Sequence, residues 1–422
     1  MTFLAFTSKH SLVWAALMQP GRSLLNRPTR IARLFVLITL LSGSACNDPV
    51  EPGKGQVHER WFKPQAEGFP RSRPVVSGNS VYFADGGGSV IARDLSTGDV
   101  LWSTSVGSSP HTISDKIGGE NFVLAAGVIV AAAQFHVSGL DAENGTELWR
   151  YHPPLDSISE VQARPGYVEK IRMATDGRTV FIPARGVTVS AVDLASGIAK
   201  WVWRVQQPDY PSGSFGVIIS GDTVFATVWH FLNKTGTVSE AWLVALDRET
   251  GGELWRVILP RQSSGTMINC APAIWNNLVI VTLTSGELFA VDRRTRGIAW
   301  VIPPKVAANG LGSALIIGAE IRDDVVYANG SDQKLHAYRA TDGTQIWESE
   351  GEQFGDDLLV TDKFVYASGS SLFIVDRRTG VRYGAPGHPR GSVNYAYTSP
   401  AGAHNGQIFV TFSNGAWSFD EP

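Results

Sequence analysis

Beyond about residue 57 the chain reads as short apolar runs separated by turn residues, and the period of those runs is that of β-strands. Leu278-Val279-Ile280-Val281-Thr282-Leu283 is a β-branched run, Thr284-Ser285-Gly286 a turn, and Glu287-Leu288-Phe289-Ala290-Val291 a second run. The turn Asp292-Arg293-Arg294-Thr295 and a further strand, Ile298-Ala299-Trp300-Val301-Ile302, complete one unit. Val81-Tyr82-Phe83, Val180-Phe181-Ile182, Val224-Phe225-Ala226, Val325-Val326-Tyr327 and Phe364-Val365-Tyr366 fill the second-strand place of other units. No long stretch keeps an apolar 3.6-residue period between helix caps, so the pattern predicts an all-β chain.

The unit repeats. Asp, Gly and Trp recur at fixed offsets as Asp94-Gly98-Trp102, Asp141-Gly145-Trp149, Asp193-Gly197-Trp201 and Asp247-Gly251-Trp255. Three degraded copies follow: Asp292-Arg296-Trp300 lacks the Gly, Arg339-Gly343-Trp347 the Asp, and Asp376-Gly380-Gly384 the Trp. An interval of about 45 residues suits a four-stranded blade with loops of varying length. The Asp is placed to accept hydrogen bonds from backbone N–H groups two or three residues on, while the Gly supplies a positive φ. The Trp, on the following strand, buries roughly 150–250 Å² and packs one unit on the next.

The ends settle the count. Gly415-Ala416-Trp417-Ser418-Phe419-Asp420 looks like the third strand of one more unit with no outer strand after it, and His58-Glu59-Arg60-Trp61-Phe62-Lys63 looks like an outer strand without its unit. Joining the two predicts an eight-bladed β-propeller of four-stranded antiparallel blades over residues 57–422, with Trp61 in the closing strand. Closure removes the open sheet edges.

The first 45 residues carry Lys9, Arg22, Arg27, Arg30 and Arg33, no acidic residue, and the apolar run Leu34–Leu41 followed by Ser42-Gly43-Ser44-Ala45. This is the layout of a secretory signal, and a start at Met18 gives it conventional length. Eight apolar residues rise only about 12 Å as a helix, too little for a ~30 Å hydrocarbon core. The small residues before Cys46 resemble a bacterial lipobox with Gly43 in place of the usual large aliphatic residue. Cys46 is thus the expected lipid attachment site, and residues 46–56 a linker. Without its leader the chain has 31 Lys/Arg against 39 Asp/Glu. That balance predicts no nucleic-acid binding and contact with membrane only through the anchor. Cys270, the other cysteine, reads as a small buried hydrophobe at the start of a strand.

In the form Asp-x-x-Thr-Gly-x-x-x-Trp, as at 94–102 and 247–255, the repeats resemble the PQQ-enzyme-like propeller repeat. Two groups carry eight such blades: the quinoprotein alcohol dehydrogenases, and the BamB-type lipoproteins that assist outer-membrane β-barrel assembly. The dehydrogenase resemblance implies an adjacent Cys-Cys pair over the cofactor, with Glu, Asn and Asp around Ca²⁺. Here the two cysteines stand apart, and no carboxylate-rich loop offers the about six to eight oxygen ligands of a Ca²⁺ site. Asp323-Asp324 and Asp356-Asp357 read as solvated turns. Asp85-Gly86-Gly87-Gly88-Ser89 joins strand to strand and reads as a hairpin, with no helix to hold a phosphate. The histidines show no local metal spacing. The expectation is therefore no catalytic residue, cofactor or metal.

What remains is a binding surface. The connections Gly107–Asn121, His152–Lys170, Gln206–Phe215, Pro303–Gly310 and Gly384–Tyr397 gather on one face of a propeller and contain His111, His152, Arg164, Tyr167, Tyr210, Tyr395 and Tyr397. Tyr and Arg are enriched at interface cores, which makes this the candidate binding face. An insertion at Phe231–Glu240 is expected on the opposite face. The reading is a monomeric, non-enzymatic, BamB-like lipoprotein of the bacterial envelope on the periplasmic side of a membrane, the outer one favoured. Its partner is then the barrel-assembly machinery; the alternative is an extracytoplasmic propeller that binds glycan or polypeptide.

Overall fold

The computed structural model describes residues 57–64, 73–84, 88–107, 122–133, 136–154, 171–184, 188–205, 212–232, 239–260, 271–283, 286–304, 316–330, 332, 334–350, 354–369, 372–384, 401–412 and 415–422. Cys46 and Cys270 lie outside them. The described residues form eight four-stranded antiparallel sheets. Seven are consecutive in the chain and are numbered blades 1 to 7, from Val75–Ser105 to Phe354–Gly384. Blade 8 takes its inner three strands from the C-terminus (Gly402–His404, Gln407–Phe412, Gly415–Asp420) and its outer strand, Glu59–Pro64, from the N-terminal end of the described chain. In that closing pair Trp61 lies opposite Ser418 and Phe62 opposite Trp417. His58 Nδ1 and Arg60 Nε meet the two Asp420 oxygens at 3.0 and 2.5 Å. The predicted eight-bladed propeller and its N-terminal closing strand are the observed fold.

Eight apolar clusters hold the ring, each shared between one blade and the next. The cluster of Phe181, Trp203, Val224 and Trp242 joins blades 3 and 4, and that of Trp61, Val81, Phe83 and Phe409 joins blade 8 to blade 1. The repeat motif explains how neighbours lock. Asp94 Oδ1 accepts from the backbone N–H of Ser96 and Thr97 at 2.9 and 2.8 Å, and the Asp at 141, 193, 247, 292 and 376 does the same in its own turn. The Gly four residues on has φ between +71° and +77° at 98, 145, 197, 251, 343 and 380. Its missing Cβ leaves room for the preceding blade's indole: a Cβ on Gly145 would sit 2.5 Å from the Trp102 ring.

Six of the seven indoles then donate to the carbonyl just after the turn-heading position of the next blade. Trp61 reaches Leu95, Trp102 Ala142, Trp149 Leu194, Trp201 Arg248, Trp300 Ala340 and Trp347 Arg377, at 2.8 to 3.2 Å. Trp255 faces the turn in which Arg296, at φ +59°, replaces the Gly.

Two regularities were not read from the sequence. Every outer strand has a bulge one residue before the Trp position. Opposite each Trp the third strand carries a small residue: Ala92, Gly139, Ala191, Ala245, Ala290, Ala337 and, facing Trp61, Ser418. In blade 7, where Gly384 replaces the Trp, the opposing residue is Ile374. Volume is thus exchanged across the pair.

Strand alternation assigns the loops to faces. Hairpins between first and second strands, and between third and outer strands, lie on one face, the turn face. Second-to-third hairpins and blade-to-blade connections lie on the other, the connection face. Three expectations are corrected. The Phe231–Glu240 insertion is a second-to-third hairpin, so it stands on the same face as the connections and not opposite them. The Gln206–Phe215 connection ends earlier, because the inner strand of blade 4 begins at Ser212. Asp356 and Asp357 lie within the inner strand Phe354–Val360, not in a turn, whereas Asp323 and Asp324 do form a tight turn at φ +46° and +61°.

Candidate functional site

Of the residues assigned to the binding face, His152 is described, and it is exposed just past the outer strand of blade 2. His111, Arg164, Tyr167, Tyr210, Tyr395 and Tyr397 lie outside the described residues. Beneath His152, at a ring distance of 5.6 Å, lies the buried His136. His136 Nε2 donates to the Val106 carbonyl at 2.7 Å and so ties blade 2 to the end of the outer strand of blade 1. Burial, with Arg150 adding to it, pushes this imidazole below its ordinary value. It is a neutral anchor under an exposed imidazole, and no periodic pattern of residues marks it.

Among the described residues, blade 4 has the longest hairpin on the connection face. Its second and third strands, Thr223–Phe231 and Ser239–Asp247, make nine cross-strand pairs, where the same pair in other blades makes four to six. Three further pairs extend a hairpin by about 10 Å. Its base is stiffened by a polar–aromatic stack. Trp242 Nε1 donates to Glu240 at 2.9 Å, the Arg256 guanidinium lies 4.5 Å over the Trp242 ring, and the His230 ring lies 5.1 Å away. Arg256 is itself oriented by a two-pronged contact with Glu253, at 2.6 Å for both bonds. A guanidinium fixed on one face of an indole keeps its charge without rotamer freedom to lose on binding. Leu232, 41% exposed, follows the end of the second strand.

Nearer the axis, Glu320 on the inner strand of blade 6 takes Arg73 from blade 1 at 2.7 Å and Arg172 from the entrance to blade 3 at 3.5 Å. The three blades are not neighbours, so these ion pairs bridge across the middle of the ring. On blade 6, His336 Nε2 meets Asp332 at 2.8 Å, and its ring stacks on Tyr338 at 5.7 Å. Burial pushes the Tyr338 hydroxyl far above its ordinary value. Among the described residues no three His, Cys, Asp or Glu side chains are grouped to hold a metal ion. The polar groups that the described residues bring together here are imidazole, guanidinium, aromatic and carboxylate.

The family model described as "Outer membrane protein assembly factor BamB" matches residues 56–125, 115–228 and 239–416. The outer membrane protein assembly factor BamB of Yersinia pestis is 24% identical over 294 residues, which is 66% of this chain and 66% of that protein, just under two thirds of its length. Among solved structures, BamB from Moraxella catarrhalis aligns with a TM-score of 0.62 at 14% identity, covering 86% of this chain and 99% of that one. The quinohemoprotein alcohol dehydrogenase of Comamonas testosteroni aligns at 0.66 and 12% identity, covering 90% and 78%. Likeness to both kinds of protein at such identity shows the fold alone.

Proposed function

The chain belongs to the family described as outer membrane protein assembly factor BamB, and from that premise we propose that it is a non-enzymatic, protein-binding scaffold of the bacterial envelope that assists the assembly of outer-membrane β-barrel proteins. The family match over nearly the whole propeller carries this reading. Support comes from the lipobox-like residues before Cys46, the proposed lipid attachment site, and from a cysteine pair that is separated rather than adjacent. The proposed binding face is the connection face. Its proposed residues are His152 together with His111, Arg164, Tyr167, Tyr210, Tyr395 and Tyr397 of the blade-to-blade connections, and the blade 4 hairpin is assigned to the same face.

Affinity capture of the native chain from envelope membranes is expected to recover a component of the barrel-assembly machinery. Tyr210→Ala combined with Tyr167→Ala is expected to weaken that capture by about 2 kcal/mol or more, on the scale of aromatic hot spots. Capture that recovers no such component removes the role and leaves the fold untouched. The likeness to quinohemoprotein dehydrogenases motivates the competing test, in which dye-linked alcohol oxidation after addition of PQQ and Ca²⁺ would establish an enzyme instead.

A further inference from the structure

The turn face is charged unevenly. Third-to-outer turns of blades 1 and 2 are acidic, with Asp94 and Asp99 in one and Asp141, Glu143 and Glu147 in the other. Those of blades 5 and 7 are basic, reading Asp292-Arg293-Arg294-Thr295-Arg296 and Asp376-Arg377-Arg378-Thr379-Gly380-Val381-Arg382. Blade 6, between them, adds Arg339. The indoles make these turns contiguous: Trp300 of blade 5 docks on Ala340 at 3.1 Å and Trp347 of blade 6 on Arg377 at 3.1 Å.

The acidic residues of this sector are engaged. Asp292 and Asp376 close their own turns, Asp323 is paired with Arg377 at 2.5 Å, Asp324 accepts from the Trp275 indole at 2.7 Å, Asp342 is paired with Arg339 at 3.3 Å, and Asp362 with Arg322. Arg294, Arg296 and Arg378 are exposed, and among the described residues none of them has a carboxylate within 4.0 Å, while the Arg382 guanidinium is taken up over the Phe373 ring at 4.7 Å. Exposed aliphatic side chains alternate with them along the same rim: Ile298 at 39%, Ile346 at 46% and Val381 at 63%.

We infer that this arc of blades 5 to 7 docks on the anionic phospholipid headgroups of a bilayer. The guanidinium groups face phosphates, which they match in geometry, and the aliphatic side chains enter the interfacial layer. Where the chain enters the propeller supports this occupant. The closing strand starts at Glu59, on the turn face, in the blade next to blade 7. The ten residues between Cys46 and Val57 span at most about 36 Å, so a lipid at Cys46 would hold this face close to the bilayer. The connection face would then point away from the membrane, open to a protein partner. The inference stands on the charge arc and does not require that partner.

The test is co-sedimentation of the full chain carrying Cys46→Ser, so that no acyl chain contributes, with phosphatidylcholine vesicles that contain or lack phosphatidylglycerol. Binding is expected only to the anionic vesicles and is expected to fall as salt rises. Arg294→Glu/Arg296→Glu/Arg378→Glu should weaken it roughly a hundredfold, at about fivefold or more per charge. Glu143→Lys on acidic blade 2 should leave it intact. Urea midpoints matching the parent's establish that the variants are folded. Equal binding to both vesicle types, or a triple variant that still binds the anionic ones, overturns the inference. A triple variant that keeps vesicle binding but loses the captured protein partner assigns the arc to an acidic protein surface and overturns it as well.

Discussion

Gly251 sits at φ +71° with the Trp201 ring against it, and a Cβ there would lie 2.6 Å from two ring carbons. Gly251→Ala therefore combines an unfavourable φ with a clash against a ring that is held by its bond to Arg248. A loss of about 2–4 kcal/mol in urea unfolding is expected. Arg296 is the natural contrast, since that turn keeps a positive φ with a side chain present. Arg296→Gly frees the space that the other indoles use, and stability is expected to stay level or rise by up to about 1 kcal/mol. At the head of the turn, bonds from Ser96 and Thr97 hold the Asp94 carboxyl at about 2. A folded value below the unfolded value of about 4 stabilises the fold above that pH. The contribution is lost as pH falls through about 2. Thermal midpoints of the parent and Asp94→Asn should therefore differ near neutral pH and converge between about pH 4 and 2.

Within a blade, the bulge and the small residue opposite each indole act together. The extra residue re-aims the Trp toward the next blade, and the small partner leaves its ring room. A Cβ on Gly139 would fall 2.1 Å from the Trp149 ring. Ala245→Leu, opposite Trp255, is expected to cost about 1–3 kcal/mol by overpacking. Ile374→Ala, in the blade without the Trp, should cost about 2–5 kcal/mol by leaving a cavity, both read from denaturant midpoints at constant m-value. The Asp, Gly and Trp of these blades were legible because the three recur together at fixed offsets. The small residues two before each Asp were in plain view but unread, since an Ala in a β-run carries no signal until the ring across the ladder is known. Asp356-Asp357 misled for a related reason: adjacent carboxylates look like a turn, whereas the backbone there runs within the strand Phe354–Val360.

For the whole molecule, closure is the element that makes the blades one structure. Deleting Glu59–Pro64 exposes the third strand of blade 8 as an unpaired edge and removes Trp61 from the junction with blade 1. The truncated chain is expected to lose its single cooperative transition and self-associate on size exclusion, and a peptide spanning 57–64 added in trans should restore part of it. Net charge averages over the whole chain: an acidic total predicts no attraction to anionic lipid, while the turns of blades 5 and 7 place exposed arginines side by side. The residue pattern alone determined the strands, the repeat, the number of blades and the closing strand, because each depends on contacts within one unit or its neighbour. Which loops share a face, that the blade 4 hairpin stands among the connections, that Arg73, Arg172 and Glu320 meet near the axis, and that one sector of a face is basic were decided by tertiary structure. Those outcomes depend on strand parity and on ring closure, which bring residues hundreds of positions apart into one surface.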